Sequence, residues 1–113
     1  MTRDARWTLP ERLQAPDLPP KLRTATLRYR FKLAGGEEGD LVLERGRFSL
    51  GDAKAKPDCV VECAAEEFVA LFSGKHNMLT AFMRGDVRIQ GTVGAAKSLH
   101  TFLRYARFEE SKA

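Results

Sequence analysis

SGKHNMLTAFMRGDVRIQGTVGAA, residues 73 to 96, is punctuated by Gly74, Gly85 and Gly91 into a short apolar helix, a strand and the approach to a last helix. Met78, Leu79, Phe82 and Met83 fall at i, i+1, i+4 and i+5, one stripe of a helix. Gly85 stands where that helix should end, because glycine takes the left-handed conformation of a helix terminus without strain. Val87 and Ile89 then share one face of the strand Asp86 to Gln90. The helical stripe is soft: methionine is a flexible filler suited to surfaces that repack around variable apolar shapes.

Upstream, the period changes from helical to alternating. Leu27, Tyr29, Phe31 and Leu33 point one way while Arg28, Arg30 and Lys32 point the other, which predicts a strand with one buried and one solvated face. Gly35 to Gly39 reads as a turn, Leu41 and Leu43 as a second strand, Gly46 as a tight turn or bulge, and Phe48 with Leu50 as a third strand. A polar loop from Gly51 to Pro57 leads to a fourth strand, Asp58 to Cys63. A helix is expected from about Ala65, with Phe68, Leu71 and Phe72 buried, and the last from about Gly94 into Phe108, with Ala95, Leu99, Phe102, Leu103 and Ala106 recurring at helical spacing. Strands first and helices later predict an α+β fold, a five-stranded, mainly antiparallel sheet with helices packed on one face.

The chain of 113 residues is large enough for one core, and its composition, 43% hydrophobic and 30% charged, is that of a soluble domain. Residues 1 to 24 hold four of the five prolines, which excludes a long helix there and leaves one short turn near Pro10. Trp7, Leu9, Leu13, Leu18 and Leu22 give this arm an apolar side that can lie across the domain. The expected organisation is an arm, 1–24, a domain, 25–108, and a tail, 109–113. No basic-then-apolar leader is visible and no apolar run spans a bilayer, so a cytoplasmic location is expected.

Gly74-Lys75, Ala81-Phe82-Met83, Gly85, the alternation Val87/Ile89 and Gly91, with Lys56-Pro57-Asp58 before a strand and Glu66-Glu67-Phe68 opening a helix, resemble the sterol carrier protein type-2 domain family, the lipid-binding domain of non-specific lipid-transfer proteins. The resemblance covers about residues 25 to 105 and departs from the family pattern at Met78, Thr92 and Ala64. It implies an apolar tunnel between helices and sheet. The walls expected on this basis are Phe68, Leu71, Phe72, Met78, Leu79, Phe82, Met83, Leu99, Phe102 and Leu103, with Tyr29 and Phe31 as the sheet floor. By pattern alone an ordinary core is the favoured reading of the same side chains, and the resemblance reverses that weighting.

Nothing in the chain points to catalysis or to a bound cofactor. There is no Gly-x-Ser-x-Gly elbow, no phosphate loop and no His-Glu-x-x-His, and the one acid pair on a strand, Asp58 and Glu62, has no partner groups of a recognised arrangement. Cys59 and Cys63, four residues apart on one strand, are about 13 Å apart, beyond disulfide reach, and are expected as buried thiols. His76 and His100 supply no metal-ligand spacing with them and are expected at the surface.

The function expected is non-enzymatic binding and carriage of a fatty acyl chain, sterol-like molecule or other lipid. An accessory role in isoprenoid-quinone synthesis is a variant of the same reading. Residues 1 to 32 carry eight basic against three acidic side chains, and the remainder eleven against twelve. Lys21, Arg23, Arg28, Arg30 and Lys32 are therefore expected to meet an anionic membrane surface transiently. An interaction module on the basic strand face is the alternative from another class. Nucleic acid is not an expected partner, since Tyr29 and Phe31 point away from the basic residues.

Overall fold

The computed structural model describes residues 7, 9–14, 18–51 and 55–108. The arm contributes a 3-10 turn, Pro10–Arg12, a two-residue strand β1, Leu13–Gln14, and a four-residue helix α1, Pro20–Arg23. Both helical pieces begin with proline, whose missing N–H is one of the unsatisfied donors of a first turn in any case. Then follow β2, Thr26–Leu33, β3, Glu38–Glu44, β4, Arg47–Leu50, and β5, Cys59–Cys63. After β5 come α2, Ala65–Phe72, α3, Met78–Met83, β6, Val87–Gly91, α4, Val93–Tyr105, and β7, Arg107–Phe108.

The main sheet has the order β4-β3-β2-β5-β6, and all its pairings are antiparallel except β2 with β5. The alternating pattern sets which face is covered: Tyr29, Phe31, Leu41, Leu43, Phe48, Cys59, Val61 and Val87 are all buried beneath the helices. Arg45 and Gly46, both at positive φ, make the two-residue turn between β3 and β4, the conformation whose twist matches a hairpin. Glycine at the second of these positions removes half of the strain.

Helices α2 and α3 end in the same way. Gly74 and Gly85 take positive φ, and the amides of Lys75 and Asp86 reach back to the carbonyls of Ala70 and Ala81 at 2.9 Å each. This satisfies carbonyls that a helix end otherwise leaves open. Asn77 caps α3 by accepting from the amide of Thr80 at 3.1 Å, and Thr92 caps α4 by accepting from the amide of Ala95 at 3.2 Å.

The end of the last helix departs from the sequence reading. The last helix stops at Tyr105 rather than running into Phe108, because Ala106 turns extended and the next two residues pair with the arm, Leu13 opposite Phe108 and Gln14 opposite Arg107. The apolar side of the arm, expected to lie across the domain, joins its core: Trp7, Leu13, Leu18 and Leu22 are buried. The Trp7 ring lies so close over Gly39 that a Cβ there would stand 2.6 Å from it, and its indole N–H donates to Glu37. The tail 109–113 lies outside the described residues.

Candidate ligand-binding cleft

Most of the expected tunnel walls pack against one another. Phe31 meets Phe68 and Phe72 at ring distances of 5.3 and 5.6 Å, Phe48 meets Phe72 and Phe102 at 5.7 and 4.9 Å, and Trp7 meets Phe68 at 4.9 Å. Tyr29, Leu71 and Leu99 complete this buried cluster. The Tyr29 hydroxyl donates to the carbonyl of Ala95 at 2.7 Å, and burial raises its pKa further above the ordinary tyrosine value.

The open apolar space lies beside this cluster, at the edge of the sheet. α3 has only six residues, and it turns Met78 and Ala81 into the core. Leu79 and Phe82 are left about half exposed and Met83 projects outward, 76% exposed. β6 is the edge strand, so Ile89 and Gly91 on its inner face have cover from one side only. α4 buries Ala95, Leu99 and Phe102 and turns a second stripe, Val93, Ala96, Lys97 and His100, toward the gap. Met78, Leu79, Phe82, Ile89, Gly91, Thr92 and that stripe enclose a cleft of about 510 Å³. This volume falls within the range of small-molecule sites.

Of the twelve expected wall and floor residues, Met78, Leu79 and Phe82 line this cleft. Leu71 and Leu103 line a neighbouring cleft of about 410 Å³ together with Gly74, Lys75, His76, Asn77, Met78, His100 and Arg104. Ile89, Val93, Ala96, Lys97 and His100 were not among the expected walls. Their signal is legible in hindsight: residues 93, 96, 97 and 100 repeat at i, i+3, i+4 and i+7. His100 is the correction among the histidines. It is half-buried, and its Nδ1 is shielded from solvent with no hydrogen-bond partner among the described residues. Exposed His76 sits 3.0 Å from a carboxylate oxygen of Glu67.

The lining of the cleft is mostly apolar, with Thr92, Lys97 and His100 as its polar side chains. Cys59 and Cys63 are unpaired and buried, and burial with Asp58 beside the first and Glu67 beside the second pushes both thiols up to about 11, away from the reactive thiolate. Asp58 is occupied by the amide of Arg28 at 2.8 Å, and Glu62 stands opposite Arg88 and Lys32 on the outer sheet face. The basic residues of that face also stand among acids. Arg30 holds buried Asp40 at 2.9 Å, and Lys32 lies in register between Glu38 and Glu62. Lys21 and Arg23 are exposed on α1. Among the described residues, no helix is long and apolar enough to cross a membrane.

The model of the SCP-2 sterol transfer family matches residues 8–104. The chain belongs to this family of lipid-binding domains. A rat (Rattus norvegicus) relative, hydroxysteroid dehydrogenase-like protein 2, is 32% identical over 88 residues, which cover 74% of this chain. The match spans only 17% of that relative's length. Sterol carrier protein domain 2 of Helicoverpa armigera is 33% identical, with a TM-score of 0.54 over 74% of this chain and 68% of that structure. Sterol carrier protein-2 of Aedes aegypti, solved in complex with palmitate, has a TM-score of 0.63 at 14% identity, covering 94% of this chain and all of that one. With the sheet order above, these likenesses establish the SCP-2 α+β fold.

Proposed function

We propose that this domain binds an acyl or similarly elongated lipid without covalent chemistry and carries or presents it, with the tail in the cleft between α3, β6 and the first turns of α4. The observation that carries this reading is the cleft itself, about 510 Å³ walled by Met78, Leu79, Phe82, Ile89, Val93 and Ala96. Leu79, Phe82 and Val93 remain 51%, 48% and 72% exposed when nothing covers them. Family membership supports the same reading, as does the palmitate held by the Aedes aegypti neighbour. Burial supplies affinity without a dedicated polar group: at about 0.8 kcal/mol per methylene, a dozen methylenes give about 10 kcal/mol gross, from which association and ordering costs are subtracted. Breadth of ligand follows from the soft, methionine-bearing wall.

The test is organic extraction and mass spectrometry of the purified protein, together with its melting transition in the presence of dodecanoate, palmitate, cholesterol and a prenylated quinone. Bound ligand at a hundredfold excess of its free concentration over Kd adds about 2.7 kcal/mol of stability. If no lipid is extracted and none shifts the transition, the carrier reading fails and the interaction-module reading takes its place. A response to the quinone alone selects the accessory role in quinone synthesis.

A further inference from the structure

We propose that Lys75 and Arg104 form a headgroup subsite for an anionic single-chain amphiphile whose tail lies in the apolar cleft, with His100 at the junction between the two. This rests on the lipid-binding reading and adds the polar end of the ligand to it.

The two clefts are neighbours through shared walls. Met78 and His100 line the apolar cleft of about 510 Å³ and also the second cleft of about 410 Å³. The second differs in character: Lys75, His76, His100 and Arg104 line it, and among the described residues no acidic side chain does. Glu67 holds His76 from outside that lining, but no ion pair engages Lys75 or Arg104 among the described residues. Lys75 also borders a further cleft with Glu67 and Asp86, but the cationic lining of the second cleft favours an anion there. The backbone beneath them is fixed, since the amides of Lys75 and His76 both bond to the carbonyl of Ala70, at 2.9 and 3.2 Å. Arg104 stands in the last turn of α4, one turn beyond His100. His100 lines both clefts and so stands where tail and head would meet.

The experiment compares dodecanoate, dodecyl phosphate and dodecanol, which share a tail and differ at the head, by calorimetric titration at pH 7.5. The wild-type protein is expected to bind one or both anions about tenfold more tightly than the alcohol, the effect of one charge-assisted hydrogen bond. The carboxylate and phosphate arms identify the head. K75Q/R104Q, two exposed substitutions, should remove that preference and leave dodecanol binding within about twofold. Equal binding of all three ligands by wild type overturns the subsite and leaves the lipid-binding reading standing, and no binding of any overturns the subsite while the lipid-binding reading is decided by extraction and the melting transitions. A preference that survives K75Q/R104Q but is lost in K97Q overturns the assignment by placing the head at the mouth of the apolar cleft.

Discussion

The hydroxyl of Tyr29, on the central strand β2, donates a 2.7 Å hydrogen bond to the carbonyl oxygen of Ala95 in the first turn of α4. That turn also provides Val93, Ala96 and Lys97 to the cleft. One bond therefore ties the sheet to the wall of the proposed ligand site. Tyr29→Phe should cost about 1 kcal/mol in urea denaturation, the usual net worth of a hydrogen bond. It should also weaken dodecanol binding, because the wall it anchors is freed. Unchanged affinity would show that core packing alone positions α4.

Phe82 and Phe68 provide a contrast between cleft and core. Phe68 is fully buried among aromatic rings, so Phe68→Ala should cost about 3–5 kcal/mol. Phe82 is 48% exposed, and Phe82→Ala should cost about 1 kcal/mol while lowering lipid affinity. A full core penalty at Phe82 would mean that the cleft closes over this ring in solution.

The buried thiols have a pH consequence. Cys59 and Cys63 are raised to about 11 in the folded chain, whereas an unfolded cysteine ionises near 8.5. Folding thus favours their protonated forms, and this contribution is fully present below about pH 8.5 and is lost as pH rises through about 11. Tyr29, raised by burial, adds in the same direction above its unfolded value of about 10. Urea midpoints at pH 8 and pH 10.5 should fall more for wild type than for Cys59→Ala/Cys63→Ala. Native protein should also resist alkylation at pH 8, yet take two labels once unfolded without reductant.

Gly85 and Gly91 both have positive φ but different surroundings. A Cβ at Gly85 meets open space, whereas at Gly91 it would stand 2.5 Å from the carbonyl oxygen of Asp58 and 2.8 Å from the Cα of Cys59. Gly85→Ala should cost about 1 kcal/mol from backbone strain alone. Gly91→Ala adds a clash with backbone and should cost at least about 2 kcal/mol. Equal midpoints for the two variants would remove the close approach of β5 and β6 from the account.

The sheet was legible because alternation is a local signal: Tyr29, Phe31 and Leu33 cannot share a face in any other extended register. The helix stops at Gly74 and Gly85 were legible for the same reason, through a conformation that favours one residue type. β7 was not. Arg107 and Phe108 continue no apolar alternation of their own, and their pairing with Gln14 and Leu13 is decided by a long-range contact. The cleft was legible only in part, through Met78, Leu79 and Phe82. Amphipathicity identifies an apolar face but not whether its cover is another protein group or a vacancy, and α4 carries two adjoining stripes with different fates. Ala95, Leu99 and Phe102 are buried, while Val93, Ala96 and His100 border the opening.

The clip between β1 and β7 joins Leu13 to Phe108, positions 95 residues apart. On a ribosome adding about 5–20 residues per second, β1 waits about 5–19 seconds for its partner strand to be made. Through that interval the strand edge at Leu13 has no register to adopt, and the apolar side chains of the arm rest on a sheet and helices that are themselves incomplete. Among the described strands, the β1–β7 pairing can therefore form only after Phe108 has been made, later than any pairing of the main sheet needs to wait.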